Sequence, residues 1–302
     1  MDARKIENKF PSVEKTNDFI KTLKAINLVD TSLEELDTVI NNYFELIPFA
    51  SGFIKKGETV FRARVNENET SFENISEFGL KSKEIVKEYG RANRPEESIF
   101  YCSDNFGMAC GEVLQNFKKS YNPRKKMGVV TVGEWEILRD LHISPVYYSE
   151  SVMAKRKDVE YFRKSNSEYL REKGIIKPET LDASDLLLDF FCDEFSKKNI
   201  NSPNDYKYSV WYMWKLKRMN DLVHPQFTKQ KFDGIVYPSV VMNYNGDNIA
   251  LFDVDLDTKI TFKIAYEVIC TDFDFENATF RFAEIGQLNS VGENGKLNRS
   301  EC

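Results

Sequence analysis

The sequence predicts an α+β fold in which a mixed or antiparallel β core is flanked by helices. Short strand-like segments follow one another with loops or single helices between them, and the turn signal NYNGD separates two of these segments. No GxGxxG motif follows any predicted strand, so the sequence does not favour a doubly wound Rossmann-type sheet. Hydrophobic residues make up 41% of the chain, which is enough for a packed core.

Two helices are predicted before the β core, at about 13–27 and from Ser32 onward. Apolar residues recur at helical intervals in both, and Glu35 stands three residues after Ser32, the spacing of a capping box. We therefore expect residues 1–57 to form an N-terminal helical extension that covers the main domain.

The main domain is expected at 58–285. Its predicted strands are 59–65, 98–103, 127–132, 234–240, 248–253, 260–268 and 280–285. The strand at 260–268 has the clearest period of two, because Ile260, Phe262, Ile264, Tyr266 and Val268 alternate with other residues. A helix capped by Asp104 or Asn105 is predicted directly after the strand at 98–103.

A helical insertion is expected at about 150–220 within this domain. Its charged part, 154–173, indicates a solvated face, and 185–197 is amphipathic. The aromatic residues of 206–219 favour a core helix over a platform for nucleic-acid bases, given the acidic balance of the chain. The polar residues 286–302 predict a disordered tail.

Composition excludes several classes of function. The chain has 42 basic and 48 acidic residues, a net charge of −6, which argues against a nucleic-acid binder. It shows no signal peptide and no bilayer-spanning segment, and its 5 cysteines lack a CxxC pair. With only 2 histidines, a His-rich metal site is not expected. We expect a cytoplasmic protein whose chemistry depends on carboxylates, hydroxyls and arginines.

Three segments together carry a candidate site. They are YGRANRPEESIFYCS (89–103) with the helix after it, FDGIVYPSV (232–240) and NIALF (248–252). Their order and separation resemble the RES family, whose members look like ADP-ribosyltransferases and are NAD+-degrading toxins of bacterial toxin–antitoxin pairs. The resemblance covers roughly 58–270. The stretch between Glu112 and Ser239 is longer than in the compact toxins, and the N-terminal helices are a second departure.

The resemblance implies the site residues. The Gly-Arg pair corresponds to Gly90 and Arg91, and the tyrosine of the next strand to Tyr101. The glutamate of the following helix is Glu112, the Tyr-Pro-Ser strand end supplies Ser239, and Asn248 begins the last motif. An arginine of the first strand is Arg62, with Arg64 as the alternative. The implied catalytic set is Glu112, Arg91, Tyr101 and Ser239, and the implied NAD+-binding set is Arg62, Arg91, Tyr101, Ser239 and Asn248, with no metal and no cofactor beyond NAD+ as the substrate.

These residue types suit cleavage of the nicotinamide–ribose bond. A carboxylate stabilises the positive charge that develops on the ribose, and arginines bind a pyrophosphate. Each residue also has a structural interpretation. Arg91 could pair with Glu96 or Glu97, Tyr101 could be a half-buried core residue, and Glu112 could be solvated. Ser239 could cap a turn, and Asn248 could bond to backbone groups near the turn signal.

The sequence therefore predicts an NAD+ glycohydrolase that depletes NAD+ as a toxin-like or defence effector. An antitoxin or immunity-type partner is expected from the resemblance. Two alternatives stay open at this point. One is a mono-ADP-ribosyltransferase that modifies a protein acceptor, and the other is a non-catalytic nucleotide-binding protein. The acceptor, the inhibitor and the oligomeric state are not determined by the sequence.

Overall fold

A computed structural model describes residues 11–44, 49–66, 70–114, 128–146, 149–157, 159–161, 163, 168, 172, 177–221, 231–254, 258–274, 279–291 and 294–301. The helices are α1 (Val13–Ala25), α2 (Leu33–Tyr43), α3 (Ile75–Phe78), α4 (Phe106–Leu114), α5 (Glu150–Met153), α6 (Pro178–Phe195) and α7 (Lys207–Met219). The strands are β1 (Gly52–Ile54), β2 (Thr59–Val65), β3 (Phe100–Ser103), β4 (Val129–Ile137), β5 (Leu141–Pro145), β6 (Gly234–Pro238), β7 (Asp247–Leu251), β8 (Ile260–Asp274), β9 (Thr279–Val291) and β10 (Lys296–Glu301). The predicted α+β class is confirmed.

The chain divides into two compact units. The helical unit comprises Met1–Ser51, Glu88–Arg94 and Ser144–Phe232, and the sheet unit comprises Gly52–Lys87, Pro95–Ile143 and Asp233–Cys302. The expected N-terminal extension and the expected insertion therefore belong to the same unit. The boundary after the first two helices lies at Ser51 and not at residue 57, because the next three residues already form β1.

Side-chain hydrogen bonds join the two parts of the helical unit. Trp211 Nε1 on α7 donates to Asp37 Oδ1 on α2 over 3.0 Å. Lys207 Nζ, at the start of α7, donates to the carbonyls of Leu28 and Thr31, each over 2.7 Å. The segment between α1 and α2 is thereby held against α7, and the N-terminal helices are part of a folded core.

A local signal predicted the start of α2 correctly. Ser32 Oγ accepts from Glu35 N over 3.1 Å and Glu35 Oε2 accepts from Ser32 N over 2.7 Å, so the predicted capping box is present. The aromatic segment 206–219 is buried as expected, with Trp211 and Tyr212 fully inaccessible. Half of the charged segment 154–173 lies outside the described residues.

The sheet unit contains one sheet of ten strands in the order β1-β5-β6-β7-β3-β2-β4-β8-β9-β10. Every pairing whose register is described is antiparallel. The prediction of a disordered tail at 286–302 is wrong, because β9 extends to Val291 and β10 pairs with it. Leu297 is buried and its N–H donates to Glu73 O over 2.8 Å, so long-range contacts order a segment whose local composition is polar.

The two faces of the sheet carry different cores. On the face that packs against α4, the buried cluster is Ala109, Cys110, Leu114, Val130, Val132, Val268 and Cys270, with Phe61 against it. On the opposite face, the cluster includes Val60, Phe78, Phe100, Cys102, Trp135, Ile249 and Leu251. Because successive residues of a strand point to opposite faces, the register assigns each side chain of the central strands to one of these cores.

A register shift in β8 changes the face of its side chains. The shift lies opposite Glu134 and Trp135, so Phe262 packs with the opposite-face core, whereas Tyr266 and Val268 pack on the α4 face. The strand was predicted correctly, but the alternating apolar residues from Ile260 to Val268 do not all point to one face of the sheet.

Candidate functional site

Two residues that are far from Glu112 in the sequence meet at its carboxylate. Ser239 Oγ donates to Glu112 Oε1 over 2.7 Å, and Asn248 Nδ2 donates to the same oxygen over 2.6 Å. Ser239 and Asn248 are buried, and Glu112 is half-buried. The separations along the chain are 127 and 136 residues, so the fold and not local structure creates this cluster.

The start of α4 determines where Glu112 lies. Asn105 Oδ1 accepts from Met108 N over 3.1 Å, which is the bond of a helix N-cap. Ser103, the last residue of β3, donates its hydroxyl to Asn105 O over 2.9 Å. These bonds fix the first turn of α4 to the end of a central strand. Glu112 follows Met108 by four positions and so lies on the same face of the helix.

Ser239 is held by its backbone and its side chain in the β6–β7 loop. Its N–H donates to Gly246 O over 2.9 Å, and its carbonyl accepts from Tyr244 N over 2.8 Å. Its hydroxyl oxygen accepts from Met242 N over 3.3 Å. Since a hydroxyl has a single proton, the bond to Glu112 is the one that it donates. The sequence interpretation of Ser239 as a turn residue and its assignment to the site are therefore compatible.

The β6–β7 loop has an unusual backbone conformation. Asn243 and Tyr244 have φ values of 50° and 72°, and Gly246 has a φ of 147°. Side chains other than glycine rarely adopt such values, and consecutive residues of this kind store strain that the surrounding contacts must offset. The conformation of the loop that presents Ser239 therefore depends on surrounding contacts as well as on its turn residues.

Asn248 lies on β7, between β6 and β3. It pairs with Tyr237 on one side and with Ser103 on the other. Because paired residues share a face, Asn248 points to the α4 face of the sheet, toward Glu112. Its amide donates to the carboxylate, whereas the structural interpretation had it bonded to backbone groups near the turn.

Tyr101 shares this face of the sheet. It precedes Ser103 by two positions on β3 and pairs with Ala250, two positions after Asn248. Its side chain is half-buried. The structure therefore places Tyr101 on the same side of the sheet as Ser103 and Asn248.

Arg62 lies on the opposite face. Its neighbour Phe61 packs with α4, whereas the Arg62 guanidinium stacks over Phe100 with 4.8 Å to the ring centroid. Arg62 Nε donates to Phe78 O over 3.0 Å and Nη1 donates to Tyr101 O over 2.8 Å. Burial, reinforced by the charge of Arg64, lowers the pKa of Arg62 to about 10. Arg62 thus connects α3 to β3 from the side of the sheet that does not carry Glu112.

Arg64 was the alternative to Arg62 as the arginine of the first strand, and it also points away from α4. It shares the face of Arg62, because it stands two positions further along β2, and its Nη1 donates to Glu77 O. Both arginines bond to carbonyls at the end of the short helix α3, where cations are favourable.

Arg91 belongs to the helical unit. Its Nη1 donates to Phe195 O over 2.6 Å and its Nη2 donates to Lys197 O over 3.0 Å. The guanidinium also lies 5.3 Å from the ring centroid of Tyr206. Phe195 is the last residue of α6, so Arg91 satisfies carbonyls at a helix C-terminus, where a positive charge is favoured. Its described hydrogen bonds go to these carbonyls and not to Glu96 or Glu97.

Several general properties concern only the described residues. Within them, no group of three or more His, Cys, Asp or Glu residues could hold a metal ion. No helix in the described ranges is long and apolar enough to cross a membrane. Cys102, Cys110, Cys192 and Cys270 are buried free thiols, and burial raises the pKa of Cys102 to about 12.

Comparison with known proteins finds distant likeness among solved structures. No protein-family model and no curated protein matches the chain. A chain in the crystal structure of the M. tuberculosis MbcT–MbcA toxin–antitoxin complex is similar, with a TM-score of 0.38 and 11% identity, over 72% of this chain and 86% of that chain.

The arrangement suits a carboxylate that must keep one orientation. Two donors hold one oxygen of Glu112, and both donors are in turn fixed by the β6–β7 hairpin. A carboxylate has about four acceptor positions, so it can bond to protein donors and to a ligand hydroxyl at once. The sequence interpretation identified Glu112, Ser239 and Asn248, and Asn105 was one of the two helix caps that it offered. It missed Gly246, whose carbonyl accepts from Ser239 N and which it treated only as part of a turn signal.

Proposed function

We propose that the sheet unit binds NAD+ and cleaves its nicotinamide–ribose bond. The observation that supports this proposal is the convergence of Ser239 and Asn248 on Glu112. The RES resemblance assigned these three residues to one site from three separate motifs. A chance match of short motifs would have no reason to place their polar side chains within hydrogen-bond distance of one another.

The reaction requires stabilisation of a positively charged ribose. The bond between the ribose anomeric carbon and the nicotinamide nitrogen breaks, and nicotinamide leaves with the electron pair. Water then adds to the anomeric carbon and loses a proton, which gives ADP-ribose. Glu112 accepts a hydrogen bond from a ribose hydroxyl that strengthens as the sugar becomes cationic. Ser239 and Asn248 hold the carboxylate in position, and Tyr101 provides an aromatic surface for the nicotinamide ring.

We assign neither Arg62 nor Arg91 to the pyrophosphate. The guanidinium of Arg62 bonds to two backbone carbonyls on the face of the sheet opposite Glu112. The guanidinium of Arg91 bonds to carbonyls at the end of α6 in the helical unit. In this proposal both arginines stabilise the fold, and Glu112, Ser239, Asn248 and Tyr101 form the site.

Nicotinamide release tests the proposal directly. The purified protein is incubated with NAD+, and the wild type is compared with Glu112→Gln, which keeps the side-chain size but removes the negative charge. We expect the rate to fall about 100-fold or more, as for the loss of a group that stabilises a charged transition state. Glu58→Gln, at an exposed glutamate of the same unit, is the matched control and should retain the rate. No release by the wild type, or equal release by Glu112→Gln, would contradict the proposal.

The products separate hydrolysis from the two alternatives. With NAD+ labelled in the adenosine part, free ADP-ribose indicates hydrolysis, and label attached to a protein indicates ADP-ribosyl transfer. A non-catalytic nucleotide-binding protein would show a raised melting temperature with NAD+ but no nicotinamide. We favour hydrolysis because it needs only the described site and water.

In a cell, this reaction would make the protein a toxin that depletes NAD+. Expression in a bacterial host is expected to lower the NAD+ pool and slow growth, and Glu112→Gln is expected to abolish both effects. The RES resemblance also suggests an antitoxin or immunity-type protein that covers the Glu112 site. Such a partner should co-purify with the chain and inhibit nicotinamide release. An unchanged NAD+ pool after induction of soluble wild-type protein would count against this role.

A further inference from the structure

Gly246 lies in direct contact with the helix that carries Glu112. A Cβ atom at this position would lie 2.4 Å from Met108 Cε and 2.8 Å from Met108 Sδ. Both distances are far below van der Waals contact, so the end of the flexible Met108 side chain, which is only 2% exposed, would have to shift within a packed interior. The φ of 147° at Gly246 also disfavours any other residue.

This contact lies between the two halves of the site. Gly246 O accepts from Ser239 N over 2.9 Å, and Asn248 follows Gly246 by two positions. On the helix, Met108 precedes Glu112 by one turn and lies on the same face. The hairpin that provides both donors and the helix that provides the carboxylate therefore approach each other closely at Gly246 and Met108.

We infer that Gly246 is a positioning residue for the reaction proposed above. Because Gly246 has no side chain, the hairpin packs on Met108 at the separation that lets Ser239 and Asn248 reach Glu112. The hydrogen bonds at Glu112 are 2.6 and 2.7 Å long, so a displacement of about 1 Å would break them. The inference rests on the proposed function for its kinetic test and on the geometry alone for its spectroscopic test.

A double-mutant cycle in nicotinamide release isolates the contact. Gly246→Ala is expected to lower kcat by about 100-fold when Met108 is retained, the size of effect that a 1 Å misplacement causes. With Met108→Ala also present, the Cβ atom has room, and the loss caused by Gly246→Ala should shrink by about tenfold or more. The backbone strain of Gly246→Ala is the same in both backgrounds, so it cancels in the comparison.

Gly57 provides the matched control for backbone strain. Its φ is 85°, and nothing lies within 4 Å of a Cβ atom built there. Gly57→Ala should therefore lower the melting temperature through strain while kcat stays at the wild-type value. If Gly246→Ala costs the same factor in kcat with Met108 retained as it does together with Met108→Ala, the inference is overturned.

The spectroscopic test does not depend on turnover. In protein labelled with 15N-asparagine, Glu112→Ala identifies the side-chain amide signal of Asn248 and its position without the carboxylate bond. Gly246→Ala is expected to move this signal toward that position, and an unchanged signal would overturn the inference even if the enzyme is active. If the wild type releases no nicotinamide, the proposed function fails, while this signal still tests the positioning role.

Met108→Leu replaces Gly246→Ala if the latter does not fold. It removes the Cε atom of Met108 without changing the backbone. A shifted Asn248 signal in this variant supports the inference, and an unchanged signal overturns it.

Discussion

Asn248 Nδ2 lies 2.6 Å from Glu112 Oε1, so a neutral amide on a buried strand stands directly beside the carboxylate of α4. An aspartate has nearly the same shape as asparagine but carries a negative charge in place of the donor. Asn248→Asp therefore keeps the shape of the side chain and removes its hydrogen-bond donor.

Asn248→Asp is expected to destabilise the protein and to abolish nicotinamide release. Two carboxylates at hydrogen-bond distance cannot both stay ionised, so at least one pKa of the pair rises above its unfolded value. We expect a loss of roughly 3 kcal/mol in the free energy of unfolding at pH 7, which corresponds to about two pKa units. A group with a raised folded pKa contributes stability below its unfolded pKa and loses it as the pH rises, so the deficit should shrink toward pH 4. Asn245→Asp, in the exposed part of the same loop, should show neither effect.

Ser239→Ala tests the hydroxyl that connects the loop to the carboxylate. The change removes the donor to Glu112 and the acceptor for Met242 N. We expect the free energy of unfolding to fall by about 1–3 kcal/mol, because buried partners lose their hydrogen bonds. Urea denaturation measures this loss, with Ser76→Ala at an exposed position as the control. A denaturation midpoint equal to that of the wild type would show that the hydroxyl is not held as described.

Arg91 offers a choice between a structural and a binding role. Arg91→Ala is expected to lower the free energy of unfolding by about 1–3 kcal/mol, since it removes two charge-assisted bonds at the end of α6. Arg91→Lys should recover only part of this loss, because an ammonium lacks the guanidinium fork. Arg281→Ala, at an exposed arginine, is the charge-matched control. An unchanged stability together with a raised KM for NAD+ would instead restore the binding role that the sequence suggested.

Asp233 gives a prediction for acid conditions. Burial would raise its pKa, but hydrogen bonds from Arg139 and Lys259 outweigh this effect and lower the pKa. Both partners lie close, with Arg139 Nη2 at 2.6 Å and Lys259 Nζ at 2.9 Å from Asp233 Oδ1. A depressed folded pKa stabilises the protein above the unfolded pKa near 3.8, and this stability is lost as the pH falls through the folded value.

Asp233→Asn should therefore lower stability at pH 7 and flatten its dependence on acid. Removal of one partner of a buried ion pair costs about 3–5 kcal/mol. Below about pH 4 the wild type should lose stability more steeply than the variant, as followed by melting temperature. Asp140→Asn, at the exposed neighbour that pairs with Lys55, is the control and should differ little from the wild type at pH 7. Parallel acid profiles for the wild type and Asp233→Asn would contradict the prediction.

Features that depend on a few neighbouring residues were predictable. The capping box at Ser32 and Glu35, the strand Thr59–Val65 and the helix after Asn105 all follow from local signals, and all are present. Glu267 shows the limit of such signals. It occupies an alternating position that predicts exposure, yet it is 1% exposed, because Arg299 and Asn66 bond to its carboxylate from distant segments.

The α+β class, most strands and the candidate residues Glu112, Ser239 and Asn248 could be predicted from the sequence. The folded structure was needed to show that these three side chains meet, that Arg62 lies on the other face of the sheet, and that Arg91 caps α6. Helix caps and strand periodicity arise from residues that are close in the chain, whereas the face that a strand residue occupies and the partner that a side chain finds depend on register and packing between distant segments.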